Sequence, residues 1–346
     1  MTNGTFNPDD VGLKNGNFGG LPLTAETAKV IAIPVPWEVT VSNGEGTGDA
    51  PSAILDASPQ LDFYDEVIGN EAWKLGPFFI DCSFSSRHEM RELAEEHITW
   101  LENGSPAEDK AEQLSNLAKI NQACENMVTS VEGIANYWLS RNKIVCVVGG
   151  DHSTPLGLIR ALAKKYKAFN ILHIDAHMDL RDAYEGFEFS HASIMYNALK
   201  LPAVKKLVQV GVRDFCSSEM NTVKNNETRI HAFTARELQI DKSCGVSRFE
   251  TVQKITSCLQ PDLPVYVSFD IDGLEPWLCP HTGTPVPGGL DFEEVFYILE
   301  RLVEVGHKII GFDLTEVGND PWDASVGARA LYRLSTLAAS SWRYDK

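Results

Sequence analysis

Residues 170–179 read NILHIDAHMD, and the change of character half-way along that stretch decides how the chain folds. Asn170–Ile174 is almost uniformly apolar instead of alternating, which is the pattern of a strand covered on both faces. The five residues that follow carry two carboxylates and an imidazole. The same event recurs elsewhere: Ile144–Val148 (IVCVV) runs into Gly149-Gly150-Asp151-His152-Ser153, and Val265–Phe269 (VYVSF) into Asp270-Ile271-Asp272. Further short apolar runs are Lys29–Pro34, Leu207–Val212 and Ile309–Leu314. Helical patterns lie between them, clearest over Pro155–Tyr166 and from Glu108 to Ser140. Strand-helix-strand repetition implies crossover units and a mostly parallel sheet with helices on both faces. Two regions are less regular. Phe79–Ser115 reads as surface helix plus loop, and Pro276–Gly289 (PWLCPHTGTPVPGG), with its four prolines, reads as a shaped loop.

In an open parallel sheet, ligands bind outside the carboxyl ends of the strands, so the three polar clusters converge on one edge. In extended backbone, residues i, i+2 and i+4 share a face. Asp175, His177 and Asp179 can therefore present three ligands together, Asp270 and Asp272 two more, and His152 completes the set. Carboxylate oxygens with some imidazole suit Mn²⁺, and Fe, Co, Ni or Zn satisfy similar geometry. Six protein ligands, some of them shared, suit two cations side by side. Any one aspartate at a strand end is more usually a turn or cap residue. Four gathered together are not, because each pair repels by about 4 kcal/mol at about 4 Å and an effective dielectric near 20. Asp151 is expected to steady the His152 ring, or else to cap the following helix. Gly149 and Gly150 are expected to permit a tight turn.

The 346 residues carry a formal charge of -18, which argues against nucleic acid, whose binding needs a basic surface. An acidic surface favours a cationic small molecule. Seven scattered cysteines without a CxxC pair fit a reduced, cytoplasmic protein better than a disulfide framework. The first twenty residues lack an apolar core segment, so no secretory signal is expected, and residues 1–25 read as a flexible arm preceding a single catalytic domain over 26–346. No apolar run reaches the roughly 18 residues of a membrane helix.

With GGDHS, DAHMD and SFDID in that order, the chain resembles the ureohydrolase superfamily of arginases, agmatinases and formimidoylglutamases, from about Val30 to Leu331. The resemblance implies an arginase-like α/β fold, three layers α/β/α around a central sheet of about eight strands. It also implies two Mn²⁺ per subunit. One would fall to His152, Asp175, Asp179 and Asp270, the other to Asp175, His177, Asp270 and Asp272. His191 corresponds to a histidine that shuttles protons near the leaving group, and an imidazole titrating near neutrality suits that task. Glu316 corresponds to the acid that pairs with a guanidinium. Relatives form trimers or hexamers, so a homo-oligomer is implied. Glu275-Pro276 departs from the Asp-Pro usual in the family.

The implied reaction releases urea and an amine from a guanidino compound. Tyr184-Glu185-Gly186 before Ser190-His191 is similar to bacterial agmatinases, which puts agmatine, cleaved to putrescine and urea, first. Arg181 points the other way, towards a carboxylate-bearing substrate, unless Asp182 or Glu185 neutralises it. Arginine, guanidinobutyrate, guanidinopropionate and guanidine stay open, and His281 is a further candidate at the pocket. A non-catalytic metal-binding or assembly protein is the alternative of a different class. His88 and His97 read as solvated, and His173 as packing.

Overall fold

A computed structural model describes residues 6–84 and 87–342. Its strands are β1 (Val30–Val35), β2 (Pro77–Phe79), β3 (Ile144–Gly149), β4 (Phe169–Ile174), β5 (Val204–Val212), β6 (Ile230–Thr234), β7 (Val265–Phe269) and β8 (Ile309–Leu314). The helices are α1 (Ala50–Ala57), α2 (Arg87–Glu102), α3 (Lys110–Leu139), α4 (Leu156–Lys165), α5 (Ile194–Leu199), α6 (Ser217–Asn225), α7 (Ala235–Ser243), α8 (Arg248–Ser257), α9 (Phe292–Glu304) and α10 (Pro321–Ser340). One eight-stranded sheet runs in the order β2-β1-β3-β8-β7-β4-β5-β6, and every pairing is parallel.

The central strands are mostly apolar because both of their faces are covered, and the polar exceptions, among them His173, Gln209, Ser268 and Asp313, are themselves fully buried. Cys146 and Val148 pack towards α1, α8, α9 and α10, whereas Val145 and Val147 pack towards α2, α3, α4 and α5. β2 and β6 were not expected from the sequence. Both are edge strands, half-exposed beyond their first residue, so neither shows a continuous apolar run.

The flexible arm expected over 1–25 does not hold for the residues around Phe18. Phe18–Gly20 forms a turn of 3-10 helix, and Phe18 and Leu21 are wholly buried beside Phe63, Leu75 and α10, so this part is core. Residues 1–5 lie outside the described residues.

The helix expected within 79–115 is α2, and it braces two loops that reach the sheet's carboxyl edge. Arg87 pairs with Glu38 at 2.9 Å. Arg91 donates to the carbonyl oxygen of Val41. His97, expected to be solvated, is 2% exposed, with Nε2 3.1 Å from the Glu185 carbonyl oxygen and its ring against Phe187.

Candidate metal centre

β3 ends in a turn that runs against the end of β1. The Gly150 N–H donates to the Val35 carbonyl at 2.9 Å and the Asp151 N–H to that of Trp37 at 2.8 Å. A Cβ on Gly150 would lie 1.9 Å from the Trp37 oxygen, so it is close approach that requires glycine here. Asp151 caps this turn, its Oδ1 accepting the Ser153 N–H at 2.8 Å together with the Ser153 hydroxyl.

The support expected of Asp151 at the His152 ring comes instead from β7. His152 Nε2 lies 2.9 Å from Ser268 Oγ, which lies 2.8 Å from Asp313 Oδ2. Asp313 also accepts from the Tyr266 hydroxyl and the Phe269 N–H, so its carboxylate is an acceptor throughout. The Ser268 proton therefore goes to Asp313, and Ser268 Oγ accepts from His152 Nε2–H. This leaves the Nδ1 lone pair facing the strand-end carboxylates.

Around that Nδ1 stand Asp179 Oδ2 at 2.9 Å, Asp175 Oδ2 at 3.0 Å and Asp270 Oδ2 at 3.3 Å, yet Nδ1 makes no hydrogen bond. Donor atoms that crowd a common point without bonding one another are arranged for a cation. A second group forms where His177 Nδ1 meets Asp272 Oδ2 at 3.0 Å and Asp175 Oδ1 at 3.4 Å. Asp175 belongs to both groups. The remaining oxygens of the β7 pair are tied to backbone: Asp270 Oδ1 accepts the Asp272 N–H at 2.9 Å, and Asp272 Oδ1 accepts the Ala176 N–H at 3.0 Å. Asp179 adopts φ 54°, a conformation uncommon outside glycine, which is how it reaches inward after the strand has ended. All six expected side chains meet. So does His173, which sequence reasoning assigned to packing.

The electrostatics agree with the chemistry of the donor set. Burial, with the charges of Asp272, Asp175 and Glu316, holds Asp270 well above the usual carboxylate range. Burial and the Asp175 charge push Asp179 up to about 6. Against the opposing effect of burial, the carboxylates of Asp272 and Asp175 push His177 up to about 12.

Glu316 follows β8 at φ 59°. Its Oε1 accepts the His152 N–H at 2.9 Å, while Oε2 is buried without a partner. The Pro/Gly loop closes over that free oxygen: a Cβ on Gly283 would be 3.2 Å from it, and the adjacent Thr282 Oγ1 is also buried and unpartnered. The loop is pinned at both ends. Glu275 Oε2 accepts the Gly288 N–H at 3.3 Å, and fully buried Asp323 accepts from the His281 N–H at 2.8 Å and from Cys279 Sγ–H at 3.1 Å. The His281 ring lies against Asp323 and is more than half exposed, so this candidate holds the loop and does not line the mouth.

The mouth is a cavity of about 180 Å³ lined by His177, Arg181, Tyr184, His191, Asp214 and Thr284, among others. His191 stands edge-on to Tyr184 at 6.0 Å with Nδ1 buried and unpartnered. Burial, with the positive charge of His177, pushes it down to about 4, below the neutrality expected of it. Arg181 pairs with neither Asp182 nor Glu185; it lies over the Tyr184 ring at 4.7 Å, and its Nε is 3.9 Å from Glu219. A larger cavity of about 780 Å³, walled by α7, α8 and α9, contains none of the six ligand residues.

The Arginase family model matches residues 28–335. The chain belongs to the arginase family. The agmatinase of Neisseria meningitidis serogroup C is 34% identical over 346 residues, covering 97% of each chain. The N(1)-aminopropylagmatine ureohydrolase of Synechocystis sp. is 30% identical over 291 residues, 84% of this chain and 81% of that one. In structure, the agmatine ureohydrolase of Thermoplasma volcanium superposes with a TM-score of 0.72 at 20% identity, over 96% of this chain and 98% of that one. As a member of this family of metal-dependent ureohydrolases, the protein is an enzyme, and the donor groups around Asp175 are its candidate metal-binding cluster.

The Ser268 contact is testable by itself. Ser268→Ala removes the acceptor for His152 Nε2–H, and if His152 holds a cation the loss of such an outer partner is expected to weaken metal affinity about 10–100-fold. A manganese titration followed by electron paramagnetic resonance reads this directly, and unchanged affinity would show that the ring is oriented by packing alone.

Proposed function

We propose that this arginase-family enzyme hydrolyses the guanidino group of a small cationic substrate, agmatine first, to urea and an amine. In this reading His152, Asp175, His177, Asp179, Asp270 and Asp272 hold two divalent cations, Mn²⁺ by preference. The carrying observation is the buried, unpartnered Glu316 Oε2 beside two donor groups that share Asp175. Such cations supply hydroxide at neutral pH, because they lower the pKa of water from 15.7 towards about 7.

The chain's own groups do the rest. Glu316 Oε2 and Thr282 Oγ1 accept N–H bonds from the guanidinium, a charge-assisted pair that fixes the guanidino carbon. His191 is unprotonated at neutral pH, so it begins as an acceptor and not as a standing acid. It takes the proton released as the C–O bond forms and passes it to the departing amine nitrogen as the C–N bond breaks. The reading extends to one catalytic unit over residues 26–346 that acts as a cytoplasmic homo-oligomer. Seven unbridged cysteines fit a reducing compartment, and no helix among the described residues is long and apolar enough to cross a membrane.

A second reading, an aminopropylagmatine substrate, is favoured by the Synechocystis relative and by the exposed Asp214 carboxylate at the mouth, which suits an ammonium further along a longer tail. Urea release from agmatine, aminopropylagmatine, arginine, guanidinobutyrate, guanidinopropionate and guanidine separates these readings. Best turnover of a guanidino acid would assign Arg181 to its carboxylate. No urea from any of them, with manganese present and absent, would sink the enzymatic reading.

Glu316→Gln keeps the shape of the side chain and removes its charge. A charge-assisted bond contributes about 1.5–3 kcal/mol, so kcat/KM should fall about 10–100-fold with the metal content unchanged. A parallel loss of metal would place Glu316 among the ligands instead.

A further inference from the structure

Beneath the ligands lie two wholly buried polar side chains that the proposed chemistry does not use, His173 of β4 and Gln209 of β5, register partners in the sheet. On its other side His173 is the register partner of Ser268, the residue that orients His152. A polar row thus crosses three neighbouring strands one step beneath the ligands, Asp175 lying two residues beyond His173. Apolar side chains would bury there at no electrostatic cost, so these polar ones call for a reason.

Donor and acceptor arithmetic supplies one. The Gln209 amide nitrogen lies 2.7 Å from the Met178 carbonyl oxygen and 2.9 Å from His173 Nδ1. A carbonyl oxygen only accepts, so the group facing it is the NH2. The flipped amide would set two oxygens against each other, and the observed orientation holds although it leaves Gln209 Oε1 unpartnered. The second NH2 proton then meets His173 Nδ1, which must carry its lone pair there. The ring proton therefore sits on Nε2, 2.7 Å from Asp175 Oδ2. That oxygen also faces His152 Nδ1 at 3.0 Å and belongs to the residue shared by both donor groups.

We propose that the Met178 carbonyl, Gln209 and His173 form a positioning relay that presents Nε2–H to Asp175 and so orients the shared carboxylate. The relay also keeps His173, which lies within ligand distance of His152, Asp175 and Asp179, from becoming a ligand itself. With the proton on Nδ1 instead, the Nε2 lone pair would face a carboxylate oxygen and compete for the cation. The proposal rests on the two-cation reading of the site.

The test begins in metal-free protein, where long-range ¹H–¹⁵N spectra of labelled histidine report the tautomer. The His173 resonance is identified by its loss in His173→Gln. Nε2–H is expected in the wild type, and a mixed or reversed tautomer in Gln209→Leu. Manganese affinity is then compared across His173→Leu, His173→Gln and wild type. Leucine removes the donor and should weaken affinity about 10–100-fold, the usual effect of losing such a partner. Glutamine returns an N–H to Asp175 and should recover most of that loss. A wild-type ring protonated on Nδ1, or equal weakening by leucine and glutamine, would overturn the relay and leave His173 a packing residue. A wild type that takes up no manganese would remove the two-cation reading, while the spectra would still decide the tautomer.

Discussion

Asp270→Asn is expected to reduce urea release by about a thousandfold and to leave the chain unable to retain both cations. Asp270 Oδ1 is committed to the Asp272 N–H, and only Oδ2 faces His152. The substitution therefore either points an NH2 into the donor group or breaks the Asp272 contact. Removing one partner from a buried charged cluster costs about 3–5 kcal/mol, or roughly two to four decades in affinity. The metal-free protein should respond in the opposite sense. Burial and the neighbouring carboxylates hold Asp270 far above its ordinary range, so the wild type carries an electrostatic cost there that asparagine lacks. Bound metal measured by mass spectrometry, with calorimetric melting in chelator, reads both halves. A residue that merely packs would lower both stability and metal content, whereas full activity at normal metal content would refute its role as a ligand.

Most of this centre was legible because the apolar runs before Asp175, His177 and Asp179, and before Asp270 and Asp272, place both clusters at one sheet edge. The shared face expected of extended backbone is made otherwise: both clusters lie past their strands, Asp179 turning inward at φ 54° and Asp272 sitting in a turn of 3-10 helix. What escaped the reading were contacts between strands far apart in sequence. Nothing local to Asn170–Ile174 says that His173 faces Gln209 and Ser268, because register is a property of the assembled sheet. His97 escaped for a similar reason. Its neighbours in α2 are charged, and the loop that buries it, which carries Glu185 and Phe187, arrives from about ninety residues away. The edge strands β2 and β6 lacked the two-sided burial that makes a continuous apolar run. His281 and Asp151 looked functional by sequence position, and each turned out to secure a turn or loop on which the site stands.

In chelator, the protein is expected to lose stability as the pH rises from 6.5 to 8.5, the reverse of the gain that paired carboxylates give at acid pH. His177 carries the argument. Its folded value is about 12, against about 6.5 when unfolded, so the stability it confers is complete below 6.5 and drains away as the pH climbs towards 12. Across this window the folded state holds one extra proton there, a slope of about 1.4 kcal/mol per pH unit. Asp270 and Glu316, raised by burial and by neighbouring charge, work in the same direction. His191, pushed down to about 4, has the opposite sign, but its window closes near 6.5. On the proposed two-cation reading, a cation bound by His177 displaces its proton, so manganese affinity should rise about tenfold per pH unit for each proton displaced. Metal-saturated protein should then stay level or gain stability over the range in which the stripped protein weakens. Denaturant unfolding at pH 6.5, 7.5 and 8.5, with chelator and with excess manganese, measures both slopes. Stability of the stripped protein that climbs through this window would mean that His177 holds no additional proton. The crowding of carboxylates around Asp175 would then need a cause other than a place kept for cations.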